Sequence, residues 1–305
     1  MARRSAVFES VEYIGFRFLG KLAGMLPHGG VRRLGSAVGM AGYGLRIRRS
    51  VTLDNLRHAF PELDEKARRS IARGAYRNYG VALAEMLWSA HAPETKLRSL
   101  VVPVRLELLT DAYARGKGVV LLSAHFGCWE LIATSLVHFI PGTLKVIAQT
   151  QRNRRVDEYI NRGRMRFGTV LVPMPQAPRE VLTTLKAGGV VAMLGDQSGA
   201  SESPYVRFFG RPAATHRGPA VFALKSGAPL VVYFFVRQPG GFYEAHFEEV
   251  DRSNLTGTLE EQILELTQRH VALLEHYIRQ YPDYWLWMHK RWKHSARYME
   301  QKGHV

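Results

Sequence analysis

His125 and Glu130 lie five residues apart within Gly118 to Leu131, which reads GVVLLSAHFGCWEL. A histidine held by a carboxylate is a general base. The carboxylate fixes the tautomer and stabilises the imidazolium formed when the ring takes a proton. On one straight helix five residues turn through about 500°, leaving the two side chains roughly 140° apart and on different faces. They meet only if His125 sits in a turn and Glu130 on the helix after it. The flanking pattern supplies that arrangement. Val119 to Leu122 is a short apolar run following a glycine, as in a strand buried on both faces. Ser123, Ala124 and His125 break the run, and Trp129, Leu131 and Ile132 begin a helix-like pattern. His125 is thereby placed at the carboxyl end of a buried strand, where open α/β sheets hold ligands. The alternative is structural: His125 caps the helix and Glu130 is a solvated first-turn residue favoured by the helix dipole.

The local form HFGCWE resembles the H-x-G-N-W-E signature of the bacterial lipid A late acyltransferases, the lauroyl and myristoyl transferases. That family is itself similar to the phosphatidylinositol mannoside acyltransferases and, more remotely, to the glycerol-phosphate acyltransferases. His125, Gly127, Trp129 and Glu130 are in register; Cys128 stands where the family usually has Asn, so any polar contact of that Asn is missing. The resemblance implies transfer of a fatty acyl chain from a thioester, on acyl carrier protein or coenzyme A, to a hydroxyl of a glycolipid such as a lipid A precursor. It implies no cofactor beyond that co-substrate. It also implies a peripheral or monotopic place on the cytoplasmic face of a bacterial inner membrane, with His125 as base and Glu130 orienting it.

Three further blocks carry the resemblance. Gly195-Asp196-Gln197 follows the apolar run Val190 to Leu194 and matches a D-Q pair in the family. Asp196 can orient His125 or bind the acceptor headgroup, although an Asp after a strand is commonly a turn residue. Residues 206–212, VRFFGRP, match a V-x-F-F-G-x-P stretch. Phe208 and Phe209 beside Arg207 suit a surface receiving an acyl chain and its anionic head, or else pin a loop to the core. The segment YPDYWLWMHKRWKH holds three of the five tryptophans among Lys and Arg, a mixture favoured at membrane interfaces and suited also to single-stranded nucleic acid. The family ends in a similar W-x-H-[KR]-R-[FW] stretch, which argues against nucleic acid.

Arginines cluster in QTQRNRR (149–155) and NRGRMR (161–166) and can clamp phosphates with two parallel hydrogen bonds. The alternative is a solvated helix face. The family places an Arg of its site in this region, with Arg164 the first choice here and Arg152 the second. Thr215, His216 and Arg217 precede a predicted helix whose free N–H groups suit a phosphate. Cys128 as an acyl-thioester nucleophile has no supporting partner in the sequence, and a buried helix-turn role fits it better. His289 and His294 lack other ligands, so no metal site is expected.

The 305 residues suffice for one large α/β domain with a helical annex. A net charge of +16 seeks anions: lipid headgroups, an acidic carrier protein, coenzyme A or nucleic acid. One cysteine excludes an internal disulfide framework. No secretory signal is evident, and no run of about 20 charge-free apolar residues offers a spanning helix. Residues 6–26 read instead as an amphipathic helix. Val7, Val11, Ile14, Phe18, Leu22 and Met25 form its stripe, Glu9, Glu12, Arg17 and Lys21 lie opposite, and Arg3 and Arg4 flank it. It docks either on the core or in a membrane interface. Residues 1–95 read as a helical membrane-docking region, with Asp64 capping a long helix, and residues 96–305 as the acyltransferase core, the two forming one integrated domain. In the core the pattern alternates between strand and helix, with a helix over Glu130 to Val137 and a hairpin of Leu230–Val236 with Phe242–Glu248. The predicted fold is α/β: a central, mostly parallel sheet flanked by helices. Two rival functions are a basic nucleic-acid-binding protein with a structural His-Glu pair and a non-catalytic peripheral membrane protein.

Overall fold

The computed structural model describes residues 6–301; Arg3 and Arg4 lie outside them. Four helices come first: α1 (Ala6–Met25), α2 (His28–Gly44), α3 (Arg49–Ala59) and α4 (Glu65–Ser89). The Asp64 side chain accepts from the Ala67 N–H at 2.7 Å and so caps α4 as expected. Short α5 (Glu94–Arg98) leads into β1 (Val101–Val104) and α6 (Glu107–Ala114). Next come β2 (Val119–Ser123), β3 (Leu144–Ala148), α7 (Arg154–Arg164), β4 (Val170–Pro173), α8 (Ala177–Lys186) and β5 (Val190–Leu194). A small antiparallel pair, β6 (Tyr205–Phe208) with β7 (Arg211–Ala214), precedes α9 (Gly218–Ser226). The chain finishes with β8 (Leu230–Arg237), β9 (Tyr243–Glu249), α10 (Leu259–Gln280) and α11 (Ser295–Gln301).

The seven-stranded sheet has the order β1-β9-β8-β2-β5-β3-β4, and β8–β9 is its one antiparallel pairing. The predicted hairpin and mostly parallel sheet are therefore present. β2 lies between β8 and β5 and is buried on both faces, which is why it reads as an unbroken apolar run. Val120 and Leu122 pack into one core with Leu56, Ala72, Phe208 and Trp285; Val119 and Leu121 pack into the other with Ala23, Val31, Ala82 and Trp88. The N-terminal helices thus share both cores with the sheet.

Two expectations differ from the structure and one open alternative is decided by it. First, the helix expected over Glu130 to Val137 is two short 3-10 turns, Trp129–Ile132 and Leu136–Phe139. The segment is rich in aromatic and β-branched residues that lose rotamer freedom in an α-helix, and Pro141-Gly142 stops it. Second, the tryptophans expected at an interface are buried: Trp285, Trp287 and Trp292 belong to the core. Asn55 ties this tail down by donating to the carbonyls of Trp287 and His289, both at 2.7 Å. Third, Phe208 and Phe209 are buried too, so of the two readings of that loop the structure takes the one that pins it to the core.

Candidate active site

Strand register brings the chemistry together. Ser123 of β2 is paired with Leu194 of β5, and the Gly195 N–H donates to the Ser123 carbonyl at 3.1 Å. His125 and Asp196 each lie two residues beyond that pair, so they leave the sheet side by side. His125 Nδ1 is 2.9 Å from Asp196 Oδ1. Asp196 Oδ2 accepts the backbone N–H of His125 at 3.1 Å and the Trp285 indole N–H at 2.9 Å. A carboxylate only accepts, so the proton of the ring contact sits on Nδ1 and Nε2 keeps a free lone pair. That Nε2 faces the amide of Gln197, 3.5 Å away. The backbone is held as firmly: the Leu286 N–H donates to the His125 carbonyl at 3.0 Å, and Gly127 N–H to Tyr284 O at 3.0 Å. The Trp129 ring meets His125 edge-on at 5.1 Å and stacks on Tyr79.

Electrostatics poise this pair. Burial works to lower the His125 pKa, but the charge and hydrogen bond of Asp196, with the charge of Glu130, raise it above the ordinary 6.5. Burial would raise Asp196; the His125 contacts and the Trp285 N–H hold it below the ordinary 3.8.

Glu130 does not supply the orienting contact. It faces Arg164 of α7 and accepts two hydrogen bonds, from Nε at 2.9 Å and Nη2 at 2.7 Å. The geometric reason is the 3-10 turn, which starts at Trp129 and points the carboxylate at α7. Both partners are mostly buried. Desolvation works to lower the Arg164 pKa, and Glu130 raises it above its ordinary value, so the guanidinium is a fixed cation on the wall. An open cleft of about 610 Å³ collects His125, Glu130, Arg164, Gln197 and His216, with an apolar lining that includes Ile132, Val146, Met174, Ala177 and Phe222. This falls within the usual range of roughly 300–1,000 Å³ for ligand clefts.

Arg152 is exposed before α7 and is not part of the cleft lining, although its neighbours Gln149 and Gln151 are. The Arg207 side chain is exposed on β6, also outside the lining; its backbone N–H donates to Gln268 at 2.7 Å. Cys128 is buried, and burial followed by the charge of Glu85 pushes its thiol well above the ordinary range, which leaves no accessible thiolate for an acyl-enzyme. Among the described residues no cluster of His, Cys, Asp and Glu could hold a metal ion.

Spacing gave no sign of Trp285, which lies 89 residues from Asp196 yet bonds to it. His289 is likewise drawn in: its Nε2 accepts the Ser198 N–H at 3.0 Å, and burial, reinforced by Arg291, lowers its pKa to about 4.

The model of the bacterial lipid A biosynthesis acyltransferase family matches residues 5–294. The Escherichia coli lipid A biosynthesis palmitoleoyltransferase is 27% identical over 277 residues, covering 88% of this chain and 86% of the relative. The E. coli lipid A biosynthesis lauroyltransferase is 26% identical over 272 residues, covering 88% and 87%. A phosphatidylinositol mannoside acyltransferase of Mycobacterium tuberculosis is 29% identical over 130 residues, 41% of each chain. With the match running through the strand ends, the His125–Asp196 pair and the tail that clamps it, the chain belongs to the bacterial lipid A biosynthesis acyltransferase family.

Proposed function

We propose that this protein transfers a fatty acyl chain from a thioester, carried by acyl carrier protein or coenzyme A, to a hydroxyl of a lipid A precursor. The observation that carries the reading is one ring: His125 Nδ1 is engaged by buried Asp196 while Nε2 faces an open, largely apolar cleft. The acceptor hydroxyl gives its proton to Nε2 as its oxygen attacks the thioester carbonyl. The tetrahedral oxyanion is met by the Gln197 amide and the field of Arg164. Collapse breaks the C–S bond, and the imidazolium returns its proton to the departing thiolate. The products are an ester and a free thiol, and no cofactor is consumed. Asp196 orients and charge-stabilises His125; Glu130 acts through Arg164.

The protein works at a membrane surface, on the cytoplasmic face of the inner membrane. No described helix is long and apolar enough to cross a membrane. On α1, however, Val7, Val11, Ile14, Phe18 and Met25 are each more than half exposed, which suits a helix lying in the interface beside anionic lipid. The burial of the tryptophan tail removes the aromatic surface that a nucleic-acid reading needed.

Lipid mass spectrometry on cells with the gene deleted, then restored as wild type or His125→Ala, tests this. One glycolipid should lose the mass of one acyl chain, and only wild type should restore it. An unchanged lipid profile, or full restoration by His125→Ala, would refute the mechanism.

A further inference from the structure

A second cavity, of about 390 Å³, lies between α1, the carboxyl end of α4 and α7, and is lined by Tyr13, Arg17, His91, Tyr159, Arg162 and Arg166 together with Ala90 and Gly163. We propose that it binds a phosphate group on the head of the lipid acceptor, through Arg17, Arg162 and Arg166.

Three arginines converge here, and among the described residues no carboxylate lines the space. None of the three has an ion-pair partner among the described residues, whereas Arg164, on α7 with Arg162, is fully paired with Glu130. Arg17 lies against the Tyr13 ring at 5.7 Å. Arg166 spends Nη1 on the carbonyls of Ser89 and Ala92, at 2.9 and 3.0 Å, and leaves its other nitrogens available. Like charges held together without a counterion attract an anion, and guanidinium forks match phosphate oxygens in particular.

The floor is built, not incidental. Tyr159 hydroxyl and His91 Nε2 are 2.8 Å apart. Gly20 lets α1 approach so closely that any Cβ there would collide with the Tyr159 hydroxyl. Arg162 and Arg166 are four residues apart and share one side of the chain, while Arg164 between them turns to the catalytic cleft. Gly163 and Ala90 form part of the partition. A lipid could thus reach the cleft with one part while its phosphate is held across α7. The exposed stripe of α1 sets the cavity at the level of a membrane surface, which favours a lipid phosphate over that of a soluble donor.

This rests on the acceptor being a lipid, and the test separates the two claims. Full-length wild type and the double variant Arg17→Gln/Arg162→Gln are assayed with a phosphorylated glycolipid acceptor, the same acceptor after phosphatase treatment, and an acyl thioester. The variant should raise KM for the phosphorylated acceptor roughly tenfold or more, from the loss of two charge-assisted contacts, without changing KM for the dephosphorylated acceptor or the donor. A rise in donor KM instead would assign the cavity to the donor's phosphate and overturn the proposal, as would equal effects on both acceptors or none. Independently of turnover, wild type but not the variant should broaden the ³¹P line of dihexanoyl phosphatidic acid. Broadening without acyl transfer would sink the proposed function and leave the phosphate site standing; transfer with no broadening would do the reverse.

Discussion

Replacing Asp196 by Asn tests the catalytic reading most sharply, because the two oxygens of the carboxylate accept three donors. Oδ1 takes the His125 ring N–H, and Oδ2 takes the His125 backbone N–H and the Trp285 indole N–H. Asn offers one acceptor and one NH₂ at almost the same volume. If the amide oxygen occupies the Oδ2 place, the NH₂ faces Nδ1, and the ring must place its proton on Nε2. If it occupies the Oδ1 place, two buried donors face an NH₂, at about 1–3 kcal/mol each. The first arrangement wins, and it removes the lone pair from the cleft. Recovering the working tautomer costs about 3–5 kcal/mol, so turnover should fall about 10²- to 10⁴-fold, the range expected for loss of a general base. Wild-type kcat/KM should rise with pH through a value above 6.5, since the neutral ring is the working form and its pKa is raised. Residual activity in the variant should shift that limb to lower pH, because the charge raising it is gone. The assay is acyl transfer followed by mass spectrometry from pH 5 to 9, with near-ultraviolet circular dichroism confirming the fold. Turnover within about threefold of wild type, or an unmoved acid limb, would refute the argument.

Glu130→Gln should act through Arg164, stranding a mostly buried cation; breaking such a pair costs about 3 kcal/mol, so Tm should drop while the acid limb of kcat/KM moves little. If that limb collapses instead, Glu130 orients His125 after all. Cys128→Ala should keep turnover within a few-fold, and native protein should resist iodoacetamide; inactivation by the thiol reagent would revive the acyl-enzyme route. His270 and His289 have pKa values lowered to about 3 and about 4 by burial. Below pH 6.5 the unfolded chain therefore binds protons the folded one does not, and stability falls as pH drops towards 4, by about 1.4 kcal/mol per pH unit for each proton. His125, with its raised pKa, works in the opposite sense near pH 6.5 but is protonated in both states well below it, so it adds nothing to the slope towards pH 4. A Tm that stays flat from pH 6.5 to 4.5 would contradict this. On α1, Ile14→Glu with Phe18→Glu should release the protein from anionic vesicles in a flotation assay without changing Tm; undiminished binding would place the membrane contact elsewhere.

Local chemistry was legible in the chain. The apolar runs 119–122 and 190–194 read as buried strands because a central parallel strand is covered on both faces, and Asp64 read as a cap because its side chain bonds three residues ahead. His125 and Asp196 could each be placed at a strand end for the same reason, and the resemblance of the spaced blocks pointed to the family. Asp196 and Glu130 were both candidates to orient His125, and the choice between them was not legible. Glu130 is near His125 in sequence, but its direction depends on a 3-10 turn that an apolar pattern cannot distinguish from an α-helix. The aromatic and basic composition of the tail is the same whether it meets lipid or the core; burial was decided by Asn55 and by packing into the core that Val120 and Leu122 of β2 share. The sequence by itself thus determined that His125 and Asp196 sit at strand ends, since propensity and periodicity act over a few neighbours. Only the tertiary structure chose Asp196 over Glu130, because that choice follows from the β2–β5 register, an interaction between segments about seventy residues apart.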